Sequence, residues 1–199
     1  MNLQNCKKKG KIRLWTRQVI EIVDEIERNG CYYVKREYLE KKNDTMTSYY
    51  EKLYQWYTKA ASLYIDIPSE AKYPIWLSMN NEEMLQPVEG TVILELEVDE
   101  KDYILCNYEG WGYVVNYWYV PENEEDERQH ESQLKQCGLH SDDELILTAK
   151  GNFYPLLKRK VMCSWGRIFT LLSDNMERGV VATTWLIKKE WIRGIKKFE

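Results

Sequence analysis

Polar side chains that could bind or react with a ligand stand next to large aromatic rings at several points of the chain. Thr16, Arg17 and Gln18 directly follow Trp15, and Asn107 comes directly after an apolar run. Clefts for small ligands are usually lined by apolar and aromatic side chains with a few donors and acceptors that fix orientation. The residues that we expect to line such a cleft, most of them at predicted strand ends, are Trp15, Thr16, Arg17, Gln18, Trp76, Asn107, Trp111 and Asn116.

Arg17 is the charged member of this set. A guanidinium can stack on an aromatic face or hold a phosphate through two parallel hydrogen bonds. We therefore expect a nucleotide-like or planar ligand to bind between aromatic side chains and the polar ends of strands. The alternative is that Arg17 is a surface charge and that the amide side chains satisfy buried backbone groups.

Signatures of the common catalytic sites are absent from the sequence. It has no G-x-S-x-G elbow, no phosphate-binding glycine loop and no H-E-x-x-H pair, and its two histidines are His130 and His140. Cys137 and His140 are neighbours in sequence, but a nucleophile and its base are normally brought together by the fold. His130 falls in an acidic run, which favours a solvated side chain. No residue is assigned a catalytic role, and whether the protein is an enzyme stays open.

The elements that must position these residues begin with a clear strand. In residues 92–98, Val92, Leu94, Leu96 and Val98 fall on one face of a strand and Glu95 and Glu97 on the other, the pattern of a half-buried strand. Residues 11–16 predict a short strand that ends at Arg17 and Gln18, followed by a helix from Val19 that stops at Asn29 and Gly30. Residues 113–120 fit either a helix or a strand, and we favour the helix because the preceding Gly110 and Gly112 and the amide of Asn116 break the alternation expected of a strand.

Capping residues and prolines predict further helices and strands. The Ser48 to Glu51 spacing has the form of a capping box, which predicts a long helix from Ser48 until Pro68, with an aromatic stripe that we expect in the core. Residues 73–77 predict a short strand whose proline suits a sheet edge. Residues 121–133 are acidic, nearly lack apolar side chains and predict an exposed loop.

Composition bounds the fold and excludes several functions. A chain of 199 residues with 44% hydrophobic and 30% charged residues predicts one α+β domain over residues 1–199, with a mixed or antiparallel sheet flanked by helices. No apolar run is long enough to cross a membrane and no signal peptide is visible, so we expect a cytoplasmic protein without a membrane partner. A net charge of -4 makes nucleic-acid binding the least favoured function.

The five cysteines are widely spaced and include no C-x-x-C pair. This usage favours reduced thiols in a reducing compartment and argues against structural zinc, so no metal site is predicted.

A set of motifs along nearly the whole chain resembles a bacterial or phage-borne family of uncharacterised domains. The motifs are Leu14-Trp15-Thr16-Arg17-Gln18, Tyr73-Pro74-Ile75-Trp76-Leu77, residues 92–96, Ile104-Leu105 through Trp111 and Asn116, and Ser164-Trp165 with Ile168-Phe169. The resemblance implies a cytoplasmic protein with no established reaction. Members of the family tend to have serine and aspartate at the positions of Cys106 and Asn107, and histidine at that of Gly112. These departures favour binding over catalysis in this chain.

The order of elements is also similar to the opening of ADP-ribosyltransferase-like domains. A strand ending in Arg17, a helix closing at Gly30 and a returning strand match the unit in which such domains hold NAD, and the strand of residues 92–98 would suit their split-sheet core. The resemblance implies NAD as a cofactor and transfer of ADP-ribose. The family's serine-threonine-serine strand and downstream glutamate are not matched, because Thr183, Thr184 and Glu190 stand too close together.

A protein-interaction module that acts on a host factor without catalysis is the alternative function. Eight tryptophans and fifteen tyrosines are hard to bury completely, and the acidic residues between Glu122 and Glu131 could imitate a charged partner.

Overall fold

The computed structural model describes residues 10–82, 84–172 and 179–198. Within them the chain forms two compact units, which we call the sheet unit (residues 10–105 and 179–198) and the helical unit (residues 106–172). The sheet unit begins with β1 (Lys11–Val19), α1 (Ile22–Asn29), β2 (Cys31–Tyr32), α2 (Arg36–Asn43), α3 (Thr47–Ala61), β3 (Ile75–Ser78) and β4 (Thr91–Asp99). It also contains the first two residues of β5 (Ile104–Asn107), followed by β6 (Val180–Thr184), β7 (Ile187–Lys188) and β8 (Ile192–Phe198). The helical unit continues from the end of β5 into α4 (Tyr108–Val115), α5 (Glu124–Gln136), α6 (Asp143–Leu147) and α7 (Pro155–Ser164), followed by a 3₁₀ turn, Trp165–Phe169.

The main sheet has six strands in the order β5-β6-β3-β1-β4-β8, and β2 pairs with β7 in a small second sheet. The pairings of β1 with β3 and β4, of β3 with β6 and of β4 with β8 are antiparallel. The predicted α+β class with an antiparallel sheet is therefore confirmed. That all 199 residues act as one domain stays a prediction.

The strand predicted over residues 92–98 is confirmed as β4. It pairs with β1 over nine residues, from Lys11 opposite Asp99 to Val19 opposite Thr91. This long register carries β1 past its predicted end, so the prediction that the strand stops at Arg17 and Gln18 is wrong. Both residues lie inside the sheet.

Alternation of side chains gives the sheet two different faces. One face carries Leu14, Leu77 and Leu94, which are fully or almost fully buried and pack in one core with Ile22 and Ile26 of α1. The opposite face carries Trp15, Arg17, Trp76, Ser78 and Thr183, and we call it the Arg17 face. Helices therefore flank the sheet as predicted, because Tyr57 of α3 contacts this second face.

Helix α1 ends where the sequence predicts. Gly30 has a left-handed backbone with φ of 75°, and its N–H donates to the carbonyl of Ile26. A residue without a side chain adopts this conformation at little cost. The helix begins at Ile22 and not at Val19, because Val19 is held in β1.

The prediction of a capping box at Ser48 is wrong. Helix α3 begins one residue earlier, at Thr47, without a side-chain cap, and the Glu51 carboxylate accepts a hydrogen bond from the Tyr73 hydroxyl at 2.8 Å. The helix ends at Ala61, well before Pro68, and it is preceded by α2, which the sequence did not predict. Its buried apolar face consists of Leu53, Tyr54, Tyr57 and Ala61, so only part of the predicted stripe is core.

Strand β3 is not an edge strand. It lies between β6 and β1, so its predicted position at the sheet edge is wrong. Pro74 does not disturb this interior pairing, because the strand begins at Ile75.

The helical unit corrects the predicted acidic loop. Within residues 121–133, the chain from Glu124 onward forms α5, whose first turn carries four carboxylates and whose N-cap Asn123 accepts from the N–H of Asp126. Carboxylates at a helix N-terminus interact favourably with its dipole, which explains a helix with so few apolar residues. Helix α4 settles part of the ambiguity over residues 113–120, since it reaches Val115 and stops before Tyr117, whose φ is 58°.

Two further observations concern the described residues alone. Their helices are all too short or too polar to cross a membrane. The four cysteines among them, Cys31, Cys106, Cys137 and Cys163, are free thiols.

Candidate functional site

The pleat of β1 divides the predicted ligand-binding residues of this strand into two pairs. Trp15 and Arg17 belong to the Arg17 face, while Thr16 and Gln18 point to the other side of the sheet. The buried Thr16 hydroxyl donates to the carbonyl of Trp76 at 2.9 Å, and the Gln18 amide donates to the Thr16 hydroxyl at 2.8 Å. Thr16 therefore links β1 to β3, Gln18 supports the Thr16 hydroxyl, and neither residue shares a surface with Arg17.

Arg17 and Trp76 are neighbours on one face of the sheet. Trp15 pairs with Ser78, so two residues further along the antiparallel ladder Arg17 stands opposite Trp76. The same row continues to Thr183 on β6, next to Trp76, and to Ile93 on β4, next to Arg17. The structure thus brings together three predicted site residues, Trp15, Arg17 and Trp76, within two adjacent strands.

The indole of Trp76 is held from the side of α3. Its ring centre lies 5.3 Å from that of Tyr57, which in turn lies 6.0 Å from Trp185 in a stacked arrangement. The Tyr57 hydroxyl bonds to that of Thr183 at 2.9 Å. Burial raises the pKa of Tyr54, and a hydrogen bond with the Trp76 side chain opposes this effect. Trp76 is therefore fixed in orientation while its side chain stays half-buried.

The charges on the Arg17 face are neutralised at one end only. Arg13, on the same strand and face as Arg17, pairs with Glu95 on β4, and Arg193 of β8 pairs with Glu97 at 2.7 Å. The Arg17 guanidinium instead donates to the backbone carbonyl of Gln86. In the described part of the chain, no ion pair involves Arg17.

Lys42 is a site residue that the sequence analysis missed. It stands one residue before the end of α2 and is exposed by surface area, yet burial of its ammonium among neighbouring groups lowers its pKa, and the positive charge of Arg17 lowers it further. The Arg17 contribution is the informative part, because it requires the two cations to lie near each other. Lys42 was missed because the sequence analysis did not predict a helix over residues 36–43.

The predicted site residues of the helical unit have structural roles there. The Asn107 side chain caps α4 by accepting from the N–H of Gly110 at 2.9 Å, and it donates to the carbonyl of Leu171 at 2.8 Å. Asn116 donates to the carbonyl of Gly112 at 2.8 Å at the other end of α4. Trp111 is a buried residue in the middle of this helix. Trp111 and Asn116 therefore do not lie at strand ends, and one cleft lined by all eight residues stays a prediction.

His130 is buried, so its expected solvated role is wrong. Its Nε2 lies 2.6 Å from Asp142, whose other carboxylate oxygen accepts from the backbone N–H of Tyr119 at 2.8 Å. The Tyr119 ring stacks on the imidazole with centres 4.0 Å apart. This arrangement holds the segment after α4 against α5, and the buried Leu134 one turn later shows why that helix face turns inward.

Helices α5 and α7 of the helical unit form an open groove of about 300 Å³. It is lined by Gln133, Gln136, Cys137, Leu156, Leu157 and Lys160. At its edge Lys160 donates to Gln133 at 2.9 Å and lies over the Tyr119 ring.

Within residues 10–82, 84–172 and 179–198, no group of three or more His, Cys, Asp or Glu side chains is placed to hold a metal ion. Comparison with known proteins gives one finding: the model of a family described as a domain of unknown function, DUF3841, matches residues 13–193. No curated protein matches the chain, and neither does any solved structure.

Proposed function

We propose that this chain, which belongs to the DUF3841 family of domains of unknown function, binds a nucleotide-like anionic ligand on the Arg17 face of its sheet unit. The observation that carries the proposal is the position of Arg17, next to a half-buried tryptophan and without a carboxylate partner among the described residues. Arg13, two residues earlier on the same face, has such a partner in Glu95. A guanidinium without a carboxylate partner is thus a property of this end of the face.

The chemistry of the site suits a planar group linked to phosphate. A guanidinium binds phosphate through two parallel charge-assisted hydrogen bonds, which are stronger than neutral ones. Stacking of a base on an aromatic side chain contributes about 1–3 kcal/mol, and Trp15 and Trp76 flank Arg17 on the same face. Lys42 adds a second positive charge nearby, which favours an anion over a neutral ligand.

Isothermal titration calorimetry with NAD, ADP and AMP tests the proposal. We expect the wild-type protein to bind at least one of them and Arg17→Ala to weaken binding about tenfold or more, because a charge-assisted bond contributes about 1.5–3 kcal/mol. Arg13→Ala is the matched control, since it removes an equal charge from the same strand and face. Its dissociation constant should stay within about twofold of the wild type. Failure of the wild type to bind any of the three nucleotides would sink the proposal.

Transfer of ADP-ribose from NAD is a further step of the same proposal. Binding at Arg17 would supply the cofactor grip, while no side chain is assigned to the chemistry of transfer. Incubation of the protein with labelled NAD and cell extract tests it, with Arg17→Ala as the control. Labelled product that depends on Arg17 supports transfer, and the absence of labelled product leaves the protein a binding module.

The protein-interaction function is a second candidate, favoured by the apolar surface of the helical unit. Leu156, which lines the groove between α5 and α7, is 80% exposed, and Phe153, three residues earlier in the chain, is 79% exposed. Lys158 and Arg159 follow Leu156 on α7. Such a surface fits a protein segment that carries apolar side chains flanked by carboxylates.

A charge substitution in the groove separates this candidate from the first. A partner retained from bacterial extract by the wild type should be lost by Leu156→Lys and kept by Leu63→Lys, which changes an equally exposed leucine of the sheet unit, 82% exposed. Equal recovery from both variants would contradict docking at the groove.

A further inference from the structure

A second cation lies in the same cross-strand row as Arg17. Ile93 of β4 pairs with Arg17 on one side and with Lys196 of β8 on the other, so all three side chains share the Arg17 face. Neighbouring strands lie about 4.8 Å apart, which places the backbones of Arg17 and Lys196 about 10 Å from each other. The two long side chains thus flank a single buried isoleucine.

Lys196 resembles Arg17 in its lack of a carboxylate partner. Its ammonium lies over the ring of Phe198, 5.2 Å from the ring centre, and it takes part in no ion pair within the described residues. One level further along the same strands, Arg193 is neutralised by Glu97. Glu95 and Glu97 therefore neutralise the cations at the far end of the face, while Arg17 and Lys196 at the other end have no ion pair within the described residues.

We infer that this end of the face binds a diphosphate group, with one phosphate on Arg17 and the next one toward Lys196. The inference rests on the proposed function and specifies the ligand as a nucleoside diphosphate or a compound that contains one. The backbones that carry the two cations stand farther apart than the oxygens of a single phosphate, and a linked pair of phosphates spans this distance better.

The experiment compares ADP with AMP by calorimetry in the full chain. We expect the wild type to bind ADP about tenfold more tightly than AMP, because the second phosphate gains its own charge-assisted contact. Lys196→Ala should bring the ADP affinity down to about that of AMP and leave the AMP affinity within about twofold. Arg17→Ala should weaken both ligands.

Lys197→Ala is the matched control for Lys196→Ala. Lys197 pairs with Val92, so its side chain points to the other face of the sheet. This variant should keep the preference for ADP. Inorganic pyrophosphate should displace bound ADP from the wild type more effectively than inorganic phosphate does, and it should lose this advantage in Lys196→Ala.

Two results separate the inference from the proposed function. Equal binding of ADP and AMP by the wild type, or an unchanged preference for ADP in Lys196→Ala, overturns the diphosphate site. Loss of nucleotide binding in Arg17→Ala would still support the nucleotide site in that case. If neither nucleotide nor pyrophosphate binds the wild type, both the inference and the proposed function fail.

Discussion

The hydrogen bond between Tyr57 and Thr183 links α3 to the sheet behind Trp76, and its removal gives a sharp test of the structure. Both residues are fully buried, and their hydroxyl oxygens lie 2.9 Å apart. Tyr57→Phe keeps the ring that contacts Trp76 and deletes the hydroxyl alone. The buried hydroxyl of Thr183 then loses this partner.

The expected magnitude follows from the burial of both groups. A buried polar group that loses its partner costs about 1–3 kcal/mol, so we expect Tyr57→Phe to lower the free energy of unfolding by that amount. Thr183→Val should have an effect of similar size, because it removes the other hydroxyl at nearly constant volume. The double variant should be less destabilised than the sum of the two single variants by about 1 kcal/mol or more, since both polar groups are then absent.

Urea unfolding followed by circular dichroism measures all three variants. Tyr108→Phe is a control that removes a hydroxyl from a tyrosine that is 59% exposed, and its effect should stay within about 0.5 kcal/mol. Strictly additive effects of Tyr57→Phe and Thr183→Val, with unchanged denaturant slopes, would contradict the bond between the two hydroxyls.

Two further predictions concern the helical unit. Gly151→Ala should destabilise the protein by about 1–3 kcal/mol, because the added Cβ would lie 1.9 Å from the carbonyl oxygen of Leu145. Gly112→Ala places its Cβ in open space in the interior of α4 and should be neutral or stabilising by up to about 1 kcal/mol. Thermal unfolding of the two variants measures both effects, and equal effects would contradict the packing around Gly151. Burial opposes ionisation of Asp126, but hydrogen bonds from a backbone amide and a tyrosine hydroxyl, together with the Arg167 charge, outweigh it and lower the pKa of this carboxyl. A carboxyl whose pKa is lower in the folded state adds stability above its unfolded pKa of about 3.9, and this stability is lost as the pH falls through the folded pKa. Urea unfolding between pH 7 and about 3 should therefore show an acid loss that is smaller in Asp126→Asn, and identical pH profiles would refute the assignment.

The parts of the fold that the sequence predicts are those set by local rules. β4 follows from the apolar residues at every second position from Val92 to Val98, and the end of α1 follows from Gly30, because both patterns are complete within a few residues. The ends of other helices and strands depend on contacts with residues that are distant in sequence. β1 extends through Arg17 only because β4 offers a partner for each of its residues, and this register is not visible in the residues of β1 alone.

The helices that were missed or misplaced show the same limit. Residues 121–133 lack an apolar stripe, yet α5 forms, because its first turn carries carboxylates and its inward face contributes His130 and Leu134 to the helical unit. At Ser48 the local motif was a capping box, but the Tyr73 hydroxyl competes for Glu51. In both cases, contacts with residues distant in sequence add to or override the local pattern.

The candidate site was predicted in part. Arg17 and Trp76 were singled out from residue type alone, and the structure makes them neighbours. The alternation rule, applied to β1, would already have placed Thr16 and Gln18 on the other face. Lys196 could not be found in this way, because a lysine in a charged segment resembles any solvated surface residue until the strand register places it in the row of Arg17. Lys42 was missed because its helix was not predicted.

The resemblances fared differently. Membership in an uncharacterised domain family is confirmed by the match over residues 13–193. A bacterial or phage origin, a cytoplasmic location and the likeness to ADP-ribosyltransferases stay predictions. The geometry of the Arg17 face tests none of these predictions, because it concerns ligand binding alone.

The dissociation constant of ADP for the wild type, Arg17→Lys and Arg17→Ala tests the central claim most directly. Lysine retains the positive charge but not the two-pronged donor geometry, so we predict the tightest binding for the wild type, weaker binding for Arg17→Lys and the weakest for Arg17→Ala, with Arg13→Ala close to the wild type. The same dissociation constant for all four proteins, or no binding by any of them, would contradict a ligand site at Arg17.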